Sequence, residues 1–579
     1  MQFFKKILLY ASKEPLAVLF ILALIFSLGW HEYHRNEHFQ ECDSAGIYNM
    51  LYDFPSSGLT YTAMSYSQGN FLSKKTAEKI LKKQSVQKIR NTVFSKYSEE
   101  FLTDKLTKLN LLAVIRYGYI QGVNLLKLPH QLLGFFAIPL SSTYSAGPGL
   151  VYSMITGYNT PYEIVMSRIL FVNILVFHLA VLLIFLIMRR MKIQSGISAI
   201  AASLFLYSIS LYSAGYHSGS TLWIFSSEIF LLWIVVLYWG KNNFLQVISL
   251  TTAILVYFNY LIIFLWAAIL ITFLTAKLPD KEKSVTNILN GFWNILKSQK
   301  IAIFFILLCG VLFFQPGQSA RGISNLHLLP KDFYYIVLNF FAFYTHQNLW
   351  NIFQFLLGVS IIGITCLFLF KATPKLNPEN SAIKHILAWF LIIFLFLVLI
   401  KILNFVPTRH ILFLSPVWII GIALALEYYS RQSWKIGITL IFILINLAGL
   451  MSILIRTLDA KDNTANIVLS SDIAEAGVYD CSYNLTNRSW KSSVPVDFIN
   501  PKTFLDGKTY LYLSQVRPFS YAMKQWQEKF QITYGIISNK EINKQVYFTA
   551  FNPDLDHLLY SRPNSLYETK FEIYSIRPK

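Results

Sequence analysis

Residues 40–55, QECDSAGIYNMLYDFP, follow closely on the first apolar run and carry a dense set of groups suited to chemistry. Asp43 is central, with Glu41 and Asp53 close in sequence and Tyr48 little more than a helical turn further on. A carboxylate held beside a bilayer can serve as a general base, because low-dielectric surroundings tune its hold on a proton. The plainer role for Asp43 is to cap a helix starting near Ser44, since Asp is a favoured N-cap. Upstream, His31, His34 and His38, with Glu41 beyond, recur at helical spacing, so one face can present three imidazoles and a carboxylate. Zinc or manganese accepts such mixed sets. Histidines at an interface also serve simply as hydrogen-bonding groups, so metal use stays open on these residues alone.

The elements that must hold these groups are membrane helices. The chain has 579 residues, 54% hydrophobic and only 14% charged, far too apolar for an ordinary soluble protein. Its net charge of +20 would suggest a nucleic-acid partner in a soluble protein. Here many Lys and Arg sit in short polar breaks between apolar runs, as the positive-inside rule requires, and nucleic acid is set aside. The four cysteines form no CxxC or zinc spacing.

Lys5, Lys6 and Lys13 precede an apolar run at 15–30, which reads as a retained span with a cytoplasmic N-terminus. Further spans are expected at 164–188, 195–215 and 221–239, then as a tight pair within 244–276 turning at Asn259 and Tyr260. The series continues at 301–314, 349–370, 386–405, 411–426 and 436–455, giving about eleven crossings and a C-terminus outside. Arg189/Arg190, Lys277/Lys281 and Arg431/Lys435 mark the cytoplasmic side. The fold expected is therefore an all-α polytopic membrane domain over 1–455, followed by a small extracytoplasmic α/β domain over 456–579. In that last part 508–515, 545–551 and 570–575 alternate like strands, and 522–530 reads as a helix. The first outer loop, 31–162, holds a basic amphipathic stretch within 73–110 and an apolar, proline-broken stretch at 111–140. A second outer loop spans 315–348, where 332–344 reads as an in-plane helix. Cys42 and Cys481 both fall outside, where disulfides persist, and are expected to pair; Cys309 and Cys366 lie within spans and are expected to stay reduced.

The run 145–190, SAGPGLVYSMITGYNTPYEIVMSRILFVNILVFHLAVLLIFLIMRR, resembles the second-span region of the GT-C superfamily of membrane glycosyltransferases, of the protein O-mannosyltransferase and aminoarabinose-transferase type. The residues that carry the likeness are Pro148, Leu150, Gly157, Glu163, Arg168, Arg189 and Arg190. A second stretch at 406–423, VPTRHILFLSPVWIIGIA, is similar to the late Arg-Tyr…Pro hairpin of that group, with Arg409 and Pro416 in place and His410 where Tyr is usual. The family's catalytic Asp, usually followed by Glu, lies soon after the first span. Asp43 and Tyr48 match its position, with Ser44 replacing the Glu.

The resemblance implies an inverting transfer of sugar from a polyprenyl-phosphate donor to an acceptor lipid, glycan or protein, at the outer face of a bacterial inner membrane. Asp43 would be the base, and cations would meet the departing phosphate. Arg321, Lys401 and Arg409 are the candidates, since short outer loops otherwise avoid such charge; Tyr48 and His410 join them as substrate-binding residues. The family includes members with and without a divalent metal. A transporter or lipid flippase is the rival class, but the chain shows no internal repeat and no matched pair of broken helices. An O-antigen-ligase-like enzyme would favour a long late outer loop, whereas here the long loop is the first.

Overall fold

The computed structural model describes residues 13–33, 35, 162–208, 221–277, 285–313, 337, 348–374, 376–400, 412–430 and 434–462, together with seven short strands between 467 and 578. Its described helices are α1 Pro15–Tyr33, α2 Tyr162–Arg190, α3 Ser195–Tyr207, α4 Thr221–Tyr238, α5 Phe244–Phe258 and α6 Ile262–Lys277. They continue as α7 Val285–Ser298, α8 Lys300–Phe313, α9 Asn348–Phe370, α10 Pro378–Leu399, α11 Ser415–Tyr429 and α12 Lys435–Asp462. Five stretches are long and apolar enough to cross a membrane: Pro15–Tyr33, Leu170–Arg190, Pro378–Leu399, Leu412–Tyr429 and Lys435–Leu454. The bent pair α7–α8 makes a sixth if taken as one span, and α3, α4, α5, α6 and α9 are shorter apolar helices.

Helix ends explain why the boundaries fall where they do. The α2–α3 corner is a Schellman motif: Ile193 N–H donates to Met188 O and Lys192 N–H to Arg189 O. Lys192 takes the left-handed conformation (φ 62°) that Gly usually fills. Burial of Ile193 and Met188 and a bond from Arg189 Nη1 to Ile193 O (2.6 Å) secure the corner. Asn259 ends α5 in extended backbone; its Nδ2 donates to Ile224 O of α4, and its Oδ1 accepts from Leu261 N–H. The turn at Asn259 and Tyr260 is thus where the sequence puts it. Helix α10 starts eight residues before the span expected at 386, because Asn377 caps it by accepting from Asn380 N–H (2.8 Å) and Pro378 suits its first turn. Hydropathy detects the apolar core of a helix and misses such polar first turns.

Helix α7 is not among the expected spans, because its apolar residues Val285, Ile288, Leu289, Phe292, Ile295 and Leu296 recur at helical spacing without forming a continuous apolar run. It meets α8 at 73°, and the corner residue Gln299 is fully buried. Gln299 Nε2 donates to Leu245 O and its Oε1 accepts from Trp266 Nε1, so the bend costs no unpaired amide. Leu289, Phe292 and Trp293 of α7 remain exposed.

Helices α3 and α11 form the centre. Small residues in α3 (Gly196, Ala199, Ala201, Ala202, Ser203) let it pack closely against α1, α2, α11 and α12. Helices α1 and α12 instead expose stripes, Leu19, Leu22, Ile25 and Phe26 on one and Ile436, Leu440, Leu444 and Leu447 on the other, as lipid-facing helices do. Several helix ends meet at one end of the bundle. Glu14 pairs with Arg189 (3.2 Å), Asn380 Nδ2 donates to Met191 O, and Gln194 N–H donates to Glu427 Oε2.

The strands form two sheets, β1 (Ile467–Leu469) with β3 (Trp490–Ser492), and a five-stranded one ordered β4-β2-β5-β7-β6, made of Val496–Phe498, Ala476–Tyr479, Tyr510–Ser514, Glu572–Pro578 and Ile532–Ser538. Strand β2 runs parallel to β4 and β5, while β7 runs antiparallel to β5 and β6. The helix expected at 522–530 and the strand at 545–551 lie outside the described residues, as do the basic stretch within 73–110, the apolar one at 111–140 and nearly all of 332–344.

Close approach of α12 to α3 gives a direct test. A Cβ at Gly449 would run into the Tyr207 ring, which is itself anchored by a bond from Tyr207 Oη to Asn446 Oδ1. Gly449→Ala is expected to destabilise the detergent-solubilised protein by about 1–3 kcal/mol, seen as a lower melting temperature. Adding Tyr207→Ala should remove most of the penalty that the Gly449 substitution adds; an undiminished effect would mean the two helices do not meet there.

Candidate functional site

Among the described residues, a cluster of buried polar groups lies between α1 and α2. These helices run antiparallel, with Phe20 against Phe185 (4.9 Å between ring centres), then Ser27 against His178, then Arg35 over the Phe171 ring at 5.4 Å. Ser27 and His31 sit one turn apart on α1, at a spacing that places both on the face toward α2. His178 lies within the long apolar stretch of α2. All three are buried, at 0%, 0% and 3% exposure.

The histidine tautomer follows from the backbone. His178 Nδ1 lies 2.7 Å from Ile174 O, and a carbonyl only accepts, so Nδ1 carries the hydrogen. In the neutral ring Nε2 is then a bare lone pair, and it faces Ser27 Oγ at 3.1 Å and His31 Nδ1 at 3.4 Å. Ser27 Oγ and His31 Nδ1 are 3.3 Å apart, closing a triangle of two imidazole nitrogens and a hydroxyl. Further toward the C-terminal end of α1, Glu32 pairs with Arg35 at 2.7 Å. Their side chains are only partly buried, so polar groups continue from the triangle to a solvated edge.

A second feature is Glu228 on α4. It is 1% exposed, and among the described residues neither carboxyl oxygen has a hydrogen-bond partner. Ionisable groups inside membrane domains are costly and are usually retained for function. Other buried polar groups have structural partners, among them Asn446, whose Nδ2 donates to Ser203 Oγ and Phe442 O, and Lys384, whose Nζ donates to Lys371 O and to Thr373 Oγ1. The hydroxyls of Thr252, Thr365 and Ser415 are, like Glu228, buried without a hydrogen-bond partner among the described residues, but carry no charge to neutralise.

Of the residues singled out in the sequence, His31 is described, and it meets α2 through His178. Asp43, Tyr48, Arg321, Lys401, Arg409 and His410 lie outside the described residues, as do His34, His38, Glu41, Cys42 and Cys481. Cys309 and Cys366 are free thiols in α8 and α9. Sequence reasoning passed over Ser27 and His178. The available signal was a histidine in the middle of an otherwise apolar run, together with a serine four residues before another histidine.

The long apolar helices make this a multi-pass membrane protein. No protein-family model, curated protein or solved structure matches the chain.

The orphaned carboxyl of Glu228 yields a prediction. Replacing it with Met removes an unsatisfied polar group at similar volume, and is expected to raise stability by about 1 kcal/mol or more, read from thermal melting in detergent. A lower melting temperature would mean that the carboxyl is bonded after all.

Proposed function

We propose that this protein is an inverting glycosyltransferase that moves a sugar from a polyprenyl-phosphate-type lipid donor to an acceptor lipid, glycan or protein at the extracytoplasmic face. The observation that carries this reading is the closure of α1 on α2. Glu14 and Arg189 pair at one end, and the chain leaves α1 at Tyr33 and re-enters α2 at Tyr162 toward the other. That arrangement supports a topology in which the whole segment bearing Asp43 belongs to the face opposite the paired basics Arg189 and Arg190, where a lipid-linked donor and an external acceptor can meet.

In this reading the shorter helices α3, α4, α5, α6 and α9, with α8, also cross, giving about eleven crossings in a bacterial inner membrane. The N-terminus is cytoplasmic, and residues 456–579 form a small extracytoplasmic α/β domain. The end of the bundle that gathers Arg189, Gln194, Asn380 and Glu427 is the cytoplasmic one. Asp43 takes the acceptor's proton as the new glycosidic bond forms, while Arg321, Lys401 and Arg409, with Tyr48 and His410, meet the departing lipid phosphate. A disulfide between Cys42 and Cys481 would tether the catalytic segment to the C-terminal domain. The unpaired carboxyl of Glu228 is the observation that favours the alternative, a transporter or lipid flippase with a charged group along its path.

Asp43→Asn keeps the side chain's shape and removes the proton acceptor, so transfer should fall by roughly 10²- to 10⁴-fold, with Asp53→Asn nearly unaffected. The measurement is mass spectrometry of envelope glycolipids, glycans and glycoproteins from a knockout complemented with each variant at matched expression. Normal product from both Asp43→Asn and Glu41→Gln would sink the mechanism. Untouched substrate accumulating on one face, together with a defect in Glu228→Gln, would favour transport.

A further inference from the structure

Two of the three separations among Ser27 Oγ, His31 Nδ1 and His178 Nε2, at 3.3 and 3.4 Å, exceed the usual 2.7–3.2 Å range for a hydrogen bond donated by nitrogen. Those two match another geometry, and the third, Ser27 Oγ to His178 Nε2 at 3.1 Å, is a little shorter. Ligand atoms about 2.0–2.1 Å from a tetrahedral zinc-class ion lie roughly 3.3–3.4 Å from one another along each edge of the polyhedron. We propose that Ser27, His31 and His178 form one face of a divalent transition-metal site between α1 and α2, with His31 Nδ1, His178 Nε2 and Ser27 Oγ as ligands.

The surroundings fit that assignment. His178 donates its other ring hydrogen to Ile174 O at 2.7 Å, the arrangement that fixes a metal-binding histidine in tautomer and ring orientation. Its free nitrogen is thereby aimed at the triangle. The set is nitrogen-rich with one hydroxyl, which suits zinc or cobalt and suits magnesium or calcium poorly. Three protein ligands leave a fourth position for an exogenous group. Because the three are neutral as drawn and wholly buried, a dication among them needs an anionic partner, so the fourth ligand is hydroxide or a phosphate oxygen, or else Ser27 binds as its alkoxide. The partly exposed pair of Glu32, next to His31 on α1, and Arg35, just past the helix end, offers the route by which ion and anion enter. This site differs from the one suggested by spacing on α1 alone, since its second imidazole comes from α2. It does not depend on the glycosyl-transfer reading.

The test uses the full chain in detergent, stripped with chelator, reloaded with zinc and passed through a desalting column. Metal content measured by mass spectrometry should be about one equivalent in the wild type. His31→Ala and His178→Ala should each lose stoichiometric zinc, and Ser27→Ala should weaken its affinity roughly 10- to 100-fold. His385→Ala, on the exposed start of α10, should change nothing. Cobalt substitution gives a second readout that does not depend on the alanine variants folding. His178→Cys should keep one cobalt and add a thiolate charge-transfer band to a tetrahedral visible spectrum. Wild-type protein that retains no zinc, or a His31→Ala/His178→Ala double variant that retains it undiminished, would overturn the site. The triangle would then be a hydrogen-bonded chain from His31 through Ser27 to His178, ending on Ile174 O.

Discussion

The hydrocarbon around a membrane helix bundle offers no water, so each polar group placed inside must be met by protein or a trapped water, or remain unmet at a cost of a few kcal/mol. Much of this architecture follows from that constraint. The bend between α7 and α8 exists because Gln299 can turn its amide to both Leu245 O and Trp266 Nε1. Helix α12 is registered on α3 by Asn446, which serves Ser203, Tyr207 and its own helix at once. Helix α5 stops at Asn259 because that side chain satisfies a carbonyl of α4 and an amide of its own turn. Against this background Glu228 and the Ser27–His31–His178 triangle stand out, the first as an ionisable group buried without a partner among the described residues and the second for two spacings wider than the usual hydrogen bond.

How much of this can be read from the residues depends on the kind of signal. The apolar runs around 15–30, 164–188 and 436–455 announce α1, α2 and α12, since about 20 apolar residues have no other common use. The break at Asn259 and Tyr260 is legible for the same reason, being a polar interruption in a continuous apolar run. Helix α7 is legible only as an amphipathic helix, through Val285, Ile288, Leu289, Phe292, Ile295 and Leu296 at helical spacing, and a criterion of about 20 apolar residues passes over it. The histidine pair is half legible. His31 shows its helical spacing to neighbours on its own chain segment, but its partner is 147 residues away, and only the crossing of α1 and α2 brings them together. Asp43 and the cations proposed to act with it rest on the sequence resemblance and on the direction in which α1 and α2 close.

The α1–α2 interface therefore has two layers with different jobs. Toward the Glu14–Arg189 end it is packed by rings, Phe20 on Phe185, and closed by an ion pair at the bundle's edge. Toward the opposite end it changes to histidines, a hydroxyl and then the Glu32–Arg35 pair, with Arg35 resting on Phe171. The first layer sets the angle and register of the hairpin. The second inherits that register and places lone pairs where an electrophile can use them, which requires a rigid support of this kind.

Helix α3 carries a consequence for how the chain is made. The partners of its side-chain hydrogen bonds to other helices come late: Asn446 for Ser203 and Tyr207, and Glu427 and Ser430 for Gln194 just before it, each more than 230 residues downstream. At about 5–20 residues per second, a ribosome needs roughly 12 to 46 seconds to deliver them. Throughout that interval the helix is already synthesised and can pack against α1 and α2, while the face that will meet α11 and α12 has no protein to cover it. Biogenesis therefore has to shelter α3, within the insertion machinery or against α1 and α2, until the final helices arrive. A chain ending before α11 would leave that shelter as its only protection from degradation.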